Sequence, residues 1–453
     1  MSLSLVDYEF AQNKLDSIKA FNGCGVYASS GKRFQYAIFG RDSLEVGEDL
    51  LLVDRELVKN ILLTMASMQG CKIDIMSEEE PGKIHHEYRT VTVDGKLVTD
   101  ESIKILNKLS RCWGGTENML CYYGSIDATP LFIRLIDRYV KEYGPELLNE
   151  KIKSIYGYES FMLDCVKRAT NWLVDHINQS EWGLLEFKRI NPNGIKYQAW
   201  KDSDTGYLHE DGTSANADDG IASVEVQGYA YDALLAASDL VAISTEERNY
   251  YIDLAKSVQK NTLKLLWVED KDMPYFAIGL DRDVDGKTRQ IRTLTSNSAA
   301  LLDSRLFSDL PSEDSDKYIR PIVNMIMSNE FITDVGVRTR ALRHYNLVDF
   351  ADYHGSLSSW PKETYDIAKG LRRHGYIDEA NKLENTLINA FHRSDDFYEY
   401  YFVNQNGEVE YNYRDINPYN LAKPGILDIP ESCQAWTVSA IMSIASLELH
   451  NRR

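Results

Sequence analysis

The stretch "PLFIRLIDRYVKEYG", residues 130–144, sets Phe132, Leu135, Ile136, Tyr139 and Val140 at i, i+3, i+4, i+7 and i+8. That spacing lays one apolar stripe along an amphipathic helix. The same period returns over 43–68, 159–178, 221–241, 246–267, 315–329, 362–374, 377–393 and 434–449, so the chain reads as helix after helix. Between them run polar connections rich in Gly, Asn, Asp and Trp, notably 70–118, 186–220, 334–361 and 395–433. These are longer than ordinary helix–helix links, and loops of that length carry function. One further segment, "YFAIGLDRDVDGKTRQIRTLTSN" (275–297), has the alternation and the DG turn of a short β-hairpin. No Pro- or Ser-rich linker divides the chain, and residues 1–453 are expected to form one domain.

Charge narrows the partners. With 50 Lys+Arg against 69 Asp+Glu the net charge is −19, and no basic stripe gathers, which argues against nucleic acid and anionic membrane. The start "MSLSLVDYEF" lacks the basic and apolar parts of a signal peptide, and no run approaches the length of a membrane span, so a soluble cytoplasmic protein is expected. Six scattered cysteines without a CxxC pair suit a reducing compartment and imply no disulfide.

Two strings invite a metal reading and neither sustains it. "DRDVDG" (281–286) begins like a calcium loop, but its twelfth position is Arg292 where a bidentate Glu is required. "HHE" (85–87) lacks the spacing that sets two imidazoles on one helix face. No metal and no cofactor are assigned. What the long loops share is Trp and Tyr mixed with Asp, Glu, Arg and Lys. Aromatic faces cover the apolar side of a pyranose while carboxylates and guanidinium groups bond its hydroxyls, so the mixture suits sugars.

Eight strings in order carry a family resemblance: "FGRDSL" (39–44), "PGKIHHEYR" (81–89), "YYGSIDATPLF" (122–132), "QAWKDSDTG" (198–206), "IASVEVQGYAYDAL" (221–234), "TSNSAALL" (295–302), "YHGSLSSWPKET" (353–364) and "QAW" (434–436). Together they resemble the amylo-α-1,6-glucosidase or glycogen-debranching type, related to glucoamylases, trehalases and α-glucosidase I. The resemblance implies an all-α (α/α)6 barrel, with the active site in the bowl where the long loops gather. It also implies an exo-acting, inverting hydrolase of α-linked glucosides or short oligosaccharides. Since "FGRDSL" comes by residue 39, no N-terminal β-sandwich domain is expected.

Inversion needs one carboxyl to protonate the leaving oxygen and another to activate water from the opposite face. By resemblance Asp202 of "WKDS" is the acid; the competing reading is an Asx-turn or helix cap feeding "SDTG". Trp200 beside it would raise its pKa, whereas Lys201, if it faced inward, would lower it. For the base, "FYEYYFVNQNGEVEYN" (397–412) is similar to a segment of α-glucosidase I relatives, which implies Glu399, with Glu410 and Glu431 as rivals because Tyr398 stands where the debranching pattern has a proline. Arg41 and Asp42 resemble the pair that grips the terminal sugar's outer hydroxyls; by spacing alone Asp42 could as well be a helix N-cap in a helix-start ion pair. Tyr123, Asp127, Glu225, Gln227, His354, Trp360, Gln434 and Trp436 are carried over as residues lining the bowl, and His85 and Glu87 as rim residues. Glu225 could instead satisfy backbone or a neighbouring Arg. Other readings stay open: trehalose- or mannosyl-type hydrolysis, a phosphorylase lacking the base, or a non-hydrolytic sugar-binding or epimerase-like toroid. The sugar itself, the linkage and the oligomeric state are not legible.

Overall fold

The computed structural model describes residues 3–20, 23, 25–31, 33–271, 273–348, 352–394, 396–410 and 430–451. Its helices are α1 (Leu5–Ser17), α2 (Gly40–Asp49), α3 (Arg55–Ser67), α4 (Asp100–Trp113), α5 (Ala128–Tyr143) and α6 (Met162–Gln179). They continue with α7 (Val224–Leu240), α8 (Thr245–Leu265), α9 (Ser312–Ile326), α10 (Pro361–Arg373), α11 (Ile377–Ser394) and α12 (Ala435–Asn451). A 3₁₀ helix, Ser296–Asp303, lies between α8 and α9.

Packing sorts these into two layers. α2, α5, α7, the 3₁₀ helix, α10 and α12 each touch the next, and α12 returns to α2, so six inner elements close a ring. Outside them, α1 covers α12, α3 covers α2, α6 packs against α5 and α7, α8 covers α7, α9 covers the 3₁₀ helix and α11 covers α10. Outer and inner elements alternate along the chain, which is the (α/α)6 toroid. α4 stands apart from the two layers. One continuous apolar core runs through all twelve ring elements, from Leu15 in α1 through Leu44, Leu135, Leu234, Leu301 and Ile367 to Ile441 in α12.

Side-chain caps in the ring are found on outer helices, although the outer α6 and α9 begin without one. Ser4, Asp54 and Ser244 cap the outer helices α1, α3 and α8 with a side-chain oxygen on a first-turn N–H. The inner α2, α5, α7, 3₁₀ helix and α10 begin without such a side chain. Short antiparallel sheets deliver several of these starts instead. Ile38–Phe39 pairs with Glu87–Thr90, which pairs with Met119–Tyr122, just before α2. Ala222–Ser223 pairs with Gly279–Arg282 just before α7. Ser358–Ser359 pairs with Tyr401–Val403 just before α10, and thereby brings Tyr400, next to Glu399, against Trp360. Gly40 is needed at the first of these junctions, because a Cβ there would sit 2.0 Å from the His85 carbonyl oxygen.

Several expectations are corrected. The apolar period over 43–68 hides a break: α2 stops at Asp49, and Asp54 accepts from the Leu57 N–H at 3.0 Å to start α3. The connection 70–118 holds α4, capped by Thr99 and ended by Gly114 in the left-handed region, φ 74°. α1 carries too weak an apolar stripe to be read from its period. The hairpin lies where its turn residues place it, with Gly279–Arg282 against Thr288–Ile291 and Gly286 at φ 78°. Of the connection 395–433, residues 395 and 411–429 lie outside the described residues. The five described cysteines are free. Among the described residues no helix is long and apolar enough to cross a membrane.

Candidate active site

The inner helices point their N-termini to one end of the ring, and there a cavity of about 220 Å³ opens. It is lined by Arg41 and Asp42 from the first turn of α2, Trp200 and Asp202 from the 198–206 loop, and His354 and Trp360 ahead of α10. Glu399 and Tyr400 line it beside the 401–403 strand, as does Trp436 at the start of α12. Eight residues singled out from sequence thus meet in one place. Arg33, Phe34, Phe39, Tyr353 and Tyr400 complete the lining. Tyr353 and Tyr400 are sequence neighbours of His354 and Glu399, a signal that was available. Arg33 lies in "GKRFQY", where nothing in pattern or composition marks it.

Six other candidates lie in the layer beneath. Asp127, fully buried, takes the Arg41 guanidinium at 2.7 Å and the Ser125 hydroxyl at 2.6 Å. Glu225 accepts from Ser223 Oγ at 2.5 Å and Tyr207 OH at 3.2 Å, so it satisfies neighbouring hydroxyls. Gln227 bonds the N–H and carbonyl of Leu185. Tyr123 donates to the Met68 carbonyl and meets Tyr156 OH. Gln434 is buried, its N–H on the Phe397 carbonyl. Lys201 turns away from the cavity and donates to the Thr339 carbonyl. The opposing cation feared at Asp202 is therefore Arg41, not Lys201. His85 and Glu87 are buried rather than at a rim, because the 87–90 strand is the middle one of its sheet; Glu87 pairs with Arg89. Among the rivals, Glu431 lies behind Glu399, its N–H donating to Glu399 Oε2 at 3.3 Å, and the Glu410 side chain is outside the described residues.

Three carboxyls and two guanidinium groups face the cavity. Burial pushes Asp202 up to about 6, against the pull of Arg41, whose Nη2 is 3.0 Å from Asp202 Oδ2. Burial pushes Asp42 up to about 7, again opposed by Arg41. Glu399 is pushed up to about 8 by burial, with Arg33 opposing at 3.9 Å. Burial works against the charge of Arg41, but Asp127 and Asp202 outweigh it and hold its pKa above the ordinary value. His354 is held well below its usual value, first by burial and then by Lys201 and Arg41, so it is a neutral imidazole. Its ring stacks on Trp360 at 5.0 Å, and Trp360 stacks in turn on Tyr400 at 5.1 Å. Apolar ring faces and carboxyl acids on one small cavity are what protonation and hydrolysis of a bound sugar need. Among the described residues no cluster of His, Cys, Asp and Glu is arranged to hold a metal ion.

A family model for the mannosylglycerate hydrolase MGH1-like glycoside hydrolase domain matches residues 166–410. A comparison with curated proteins finds no match. Among solved structures, the chain is similar to a GH63 mannosylglycerate hydrolase from Thermus thermophilus in complex with glucose, with a TM-score of 0.60 and 13% identity over 96% of this chain and 99% of that one. It is also similar to a wild-type glycosidase, with a TM-score of 0.58 and 10% identity over 98% of both chains. A variant glycosidase in complex with glucose gives 0.60 and 12% over the same shares. At such identity these likenesses carry the fold.

Proposed function

Since the chain belongs to the mannosylglycerate hydrolase MGH1-like family of glycoside hydrolases, we propose that it releases the terminal sugar of a small α-glycoside with inversion, Asp202 acting as acid and Glu399 as base. The observation that supports this best is the meeting of Asp202 and Glu399, 197 residues apart in sequence, on the wall of one cavity. Arg41 and Asp42 grip the outer hydroxyls, and Trp360, Tyr400 and Trp436 cover the ring. Asp202 protonates the glycosidic oxygen while Glu399 takes a proton from the attacking water, so no glycosyl-enzyme forms. Glucose in two of the similar structures and mannosylglycerate in the name of one favour an α-glucosyl or α-mannosyl donor with a small aglycone. A cavity of about 220 Å³ suits one sugar ring better than a branched glucan, so debranching is the lesser form of this proposal.

A second reading exchanges the two roles. It is favoured by the order of the pKa values, because Glu399 at about 8 holds its proton more tightly than Asp202 at about 6. With Asp202 as acid, the reactive form has the more acidic group protonated and the less acidic one ionised, on the order of one molecule in a hundred. That lowers the rate without changing the chemistry.

Proton NMR of fresh product from α-glucosides, α-mannosides and α-mannosylglycerate tests the proposal. The β anomer is expected first; an α anomer appearing first refutes inversion. Asp202→Asn is expected to abolish cleavage of poor leaving groups and to spare glycosyl fluorides, which need no protonation. Glu399→Gln is expected to lose both, and the opposite pattern assigns the exchanged roles.

A further inference from the structure

Along 200–205 the side chains divide between two sides. Trp200 and Asp202 line the cavity, while Lys201, Ser203 and Thr205 bond Thr339, His354 and Asp352. The segment bends at Trp200 and turns over 203–206, where the Gly206 N–H donates to the Ser203 carbonyl at 2.9 Å, and in doing so it separates a working side from an anchoring side. Lys201 donates to the Thr339 carbonyl, Ser203 Oγ lies 3.0 Å from His354 Nδ1, and Thr205 Oγ1 donates to Asp352 Oδ2 at 2.5 Å. Gly206 then closes the loop so tightly that a Cβ would stand 2.1 Å from the Lys201 carbonyl oxygen.

Asp352 ties the Thr205 anchor to the His354 backbone. Its Oδ2 also accepts from Arg340 Nη2 at 3.3 Å, and its Oδ1 accepts from the His354 N–H at 3.0 Å. Arg340, 2% exposed, donates in addition to the Thr205 carbonyl at 2.6 Å. One buried carboxylate therefore holds the loop that carries Asp202 on one side and the His354 wall on the other, without lining the cavity itself. A buried ion pair is a weak device for stability alone, since apolar groups of the same size do as well. What its hydrogen bonds add is direction.

We propose that Asp352 is a positioning residue: through Thr205, Arg340 and the His354 backbone it sets where the Asp202 carboxyl stands against the His354 wall. The inference rests on Asp202 being the general acid, whose proton must lie within hydrogen-bond reach of the leaving oxygen.

The test compares an aryl glycoside of poor leaving group with the corresponding glycosyl fluoride. Thr205→Val removes one anchor and leaves the Asp352–Arg340 pair intact, so no buried charge is stranded. It is expected to lower kcat on the aryl glycoside about tenfold, with kcat on the fluoride and both KM values within about twofold. Thr205→Ser restores the hydroxyl and is expected to restore the rate. Asp352→Asn, checked for folding by circular dichroism, is expected to show the same selective loss. Equal loss on both substrates, or no loss on either, overturns the positioning role. Asp202→Asn is the control. If it loses both substrates equally, the acid assignment fails; if it loses selectively while Thr205→Val does not, only the proposal for Asp352 fails.

Discussion

At the scale of single residues, the cavity concentrates carboxyls whose protons burial holds tightly. Asp202, Asp42 and Glu399 sit at about 6, 7 and 8, all above their ordinary values. In the pH dependence of kcat/KM the two catalytic groups would give limbs near 6 and 8 whichever is the acid, because the correct ionisation state has the same pH profile in both cases. A glycosyl fluoride breaks the tie, since it drops the requirement for the acid. With Glu399 as base its kcat/KM is expected to rise through about pH 8 and level off; a rise through about 6 makes Asp202 the base. Stability carries the same signature. A carboxyl whose folded pKa is raised binds its proton more tightly folded than unfolded, so stability is lost as pH rises from the unfolded value through the folded one. Glu399→Gln is therefore expected to melt close to the parent at pH 4 and above it at pH 9. A variant that melts below the parent at pH 9 would mean Arg33 already outweighs burial at Glu399.

At the scale of elements, the six inner starts explain why the motifs are spaced as they are. "FGRDSL", "YYGSIDATPLF", "IASVEVQGYAYDAL", "TSNSAALL", "YHGSLSSWPKET" and the final "QAW" each straddle the start of one inner element. Helix N-termini carry partial positive charge and unpaired N–H groups, and those of α2, α10 and α12 border the cavity where Asp42, Asp202 and Glu399 stand. The outer starts of α1, α3 and α8 lie away from the cavity and use ordinary caps. Asp54→Ala is accordingly expected to cost about 1 kcal/mol in urea unfolding while leaving kcat/KM unchanged. A loss of activity without loss of stability would contradict this division of labour. The same contrast governs what sequence discloses. Amphipathic helices with wide apolar stripes, such as α5, are legible because burial imposes their period. The gap between α2 and α3 is not, because Leu50, Leu51 and Val53 continue the apolar run through it. The 3₁₀ helix is hidden by its Ser and Asn, which suit caps and turns as well. For the site, the residues that reach the cavity and those one layer below share motifs, so Asp127 and Glu225 look like Asp42 and Asp202 until the ring is closed. Arg33 arrives from a loop with no motif at all.

At the scale of the molecule, ring closure bears on cooperativity. A chain of 453 residues would by length alone be expected to unfold in stages. Here the first and last helices pack on each other, α1 on α12, and the Leu3 N–H reaches Glu448 Oε2 at 2.9 Å, so no hairpin has a free edge. Opening the ring anywhere strips an inner helix of one neighbour and exposes core that all twelve elements share. We propose that the toroid is one domain and unfolds as one unit. Leu15, fully buried in α1, tests this from the seam. Leu15→Ala should cost about 2–5 kcal/mol through lost packing and the cavity left behind. In a single unit that loss is felt on the far side of the ring as well, at α7, three inner elements away in either direction. Hydrogen exchange of the slowest α7 amides is therefore expected to accelerate by the factor that corresponds to the global loss. Far-UV circular dichroism and fluorescence of the tryptophans distributed from Trp113 to Trp436 should then share one midpoint. If α7 keeps its protection while α1 and α12 lose theirs, the hairpins are separate cooperative units, and the one-domain proposal falls.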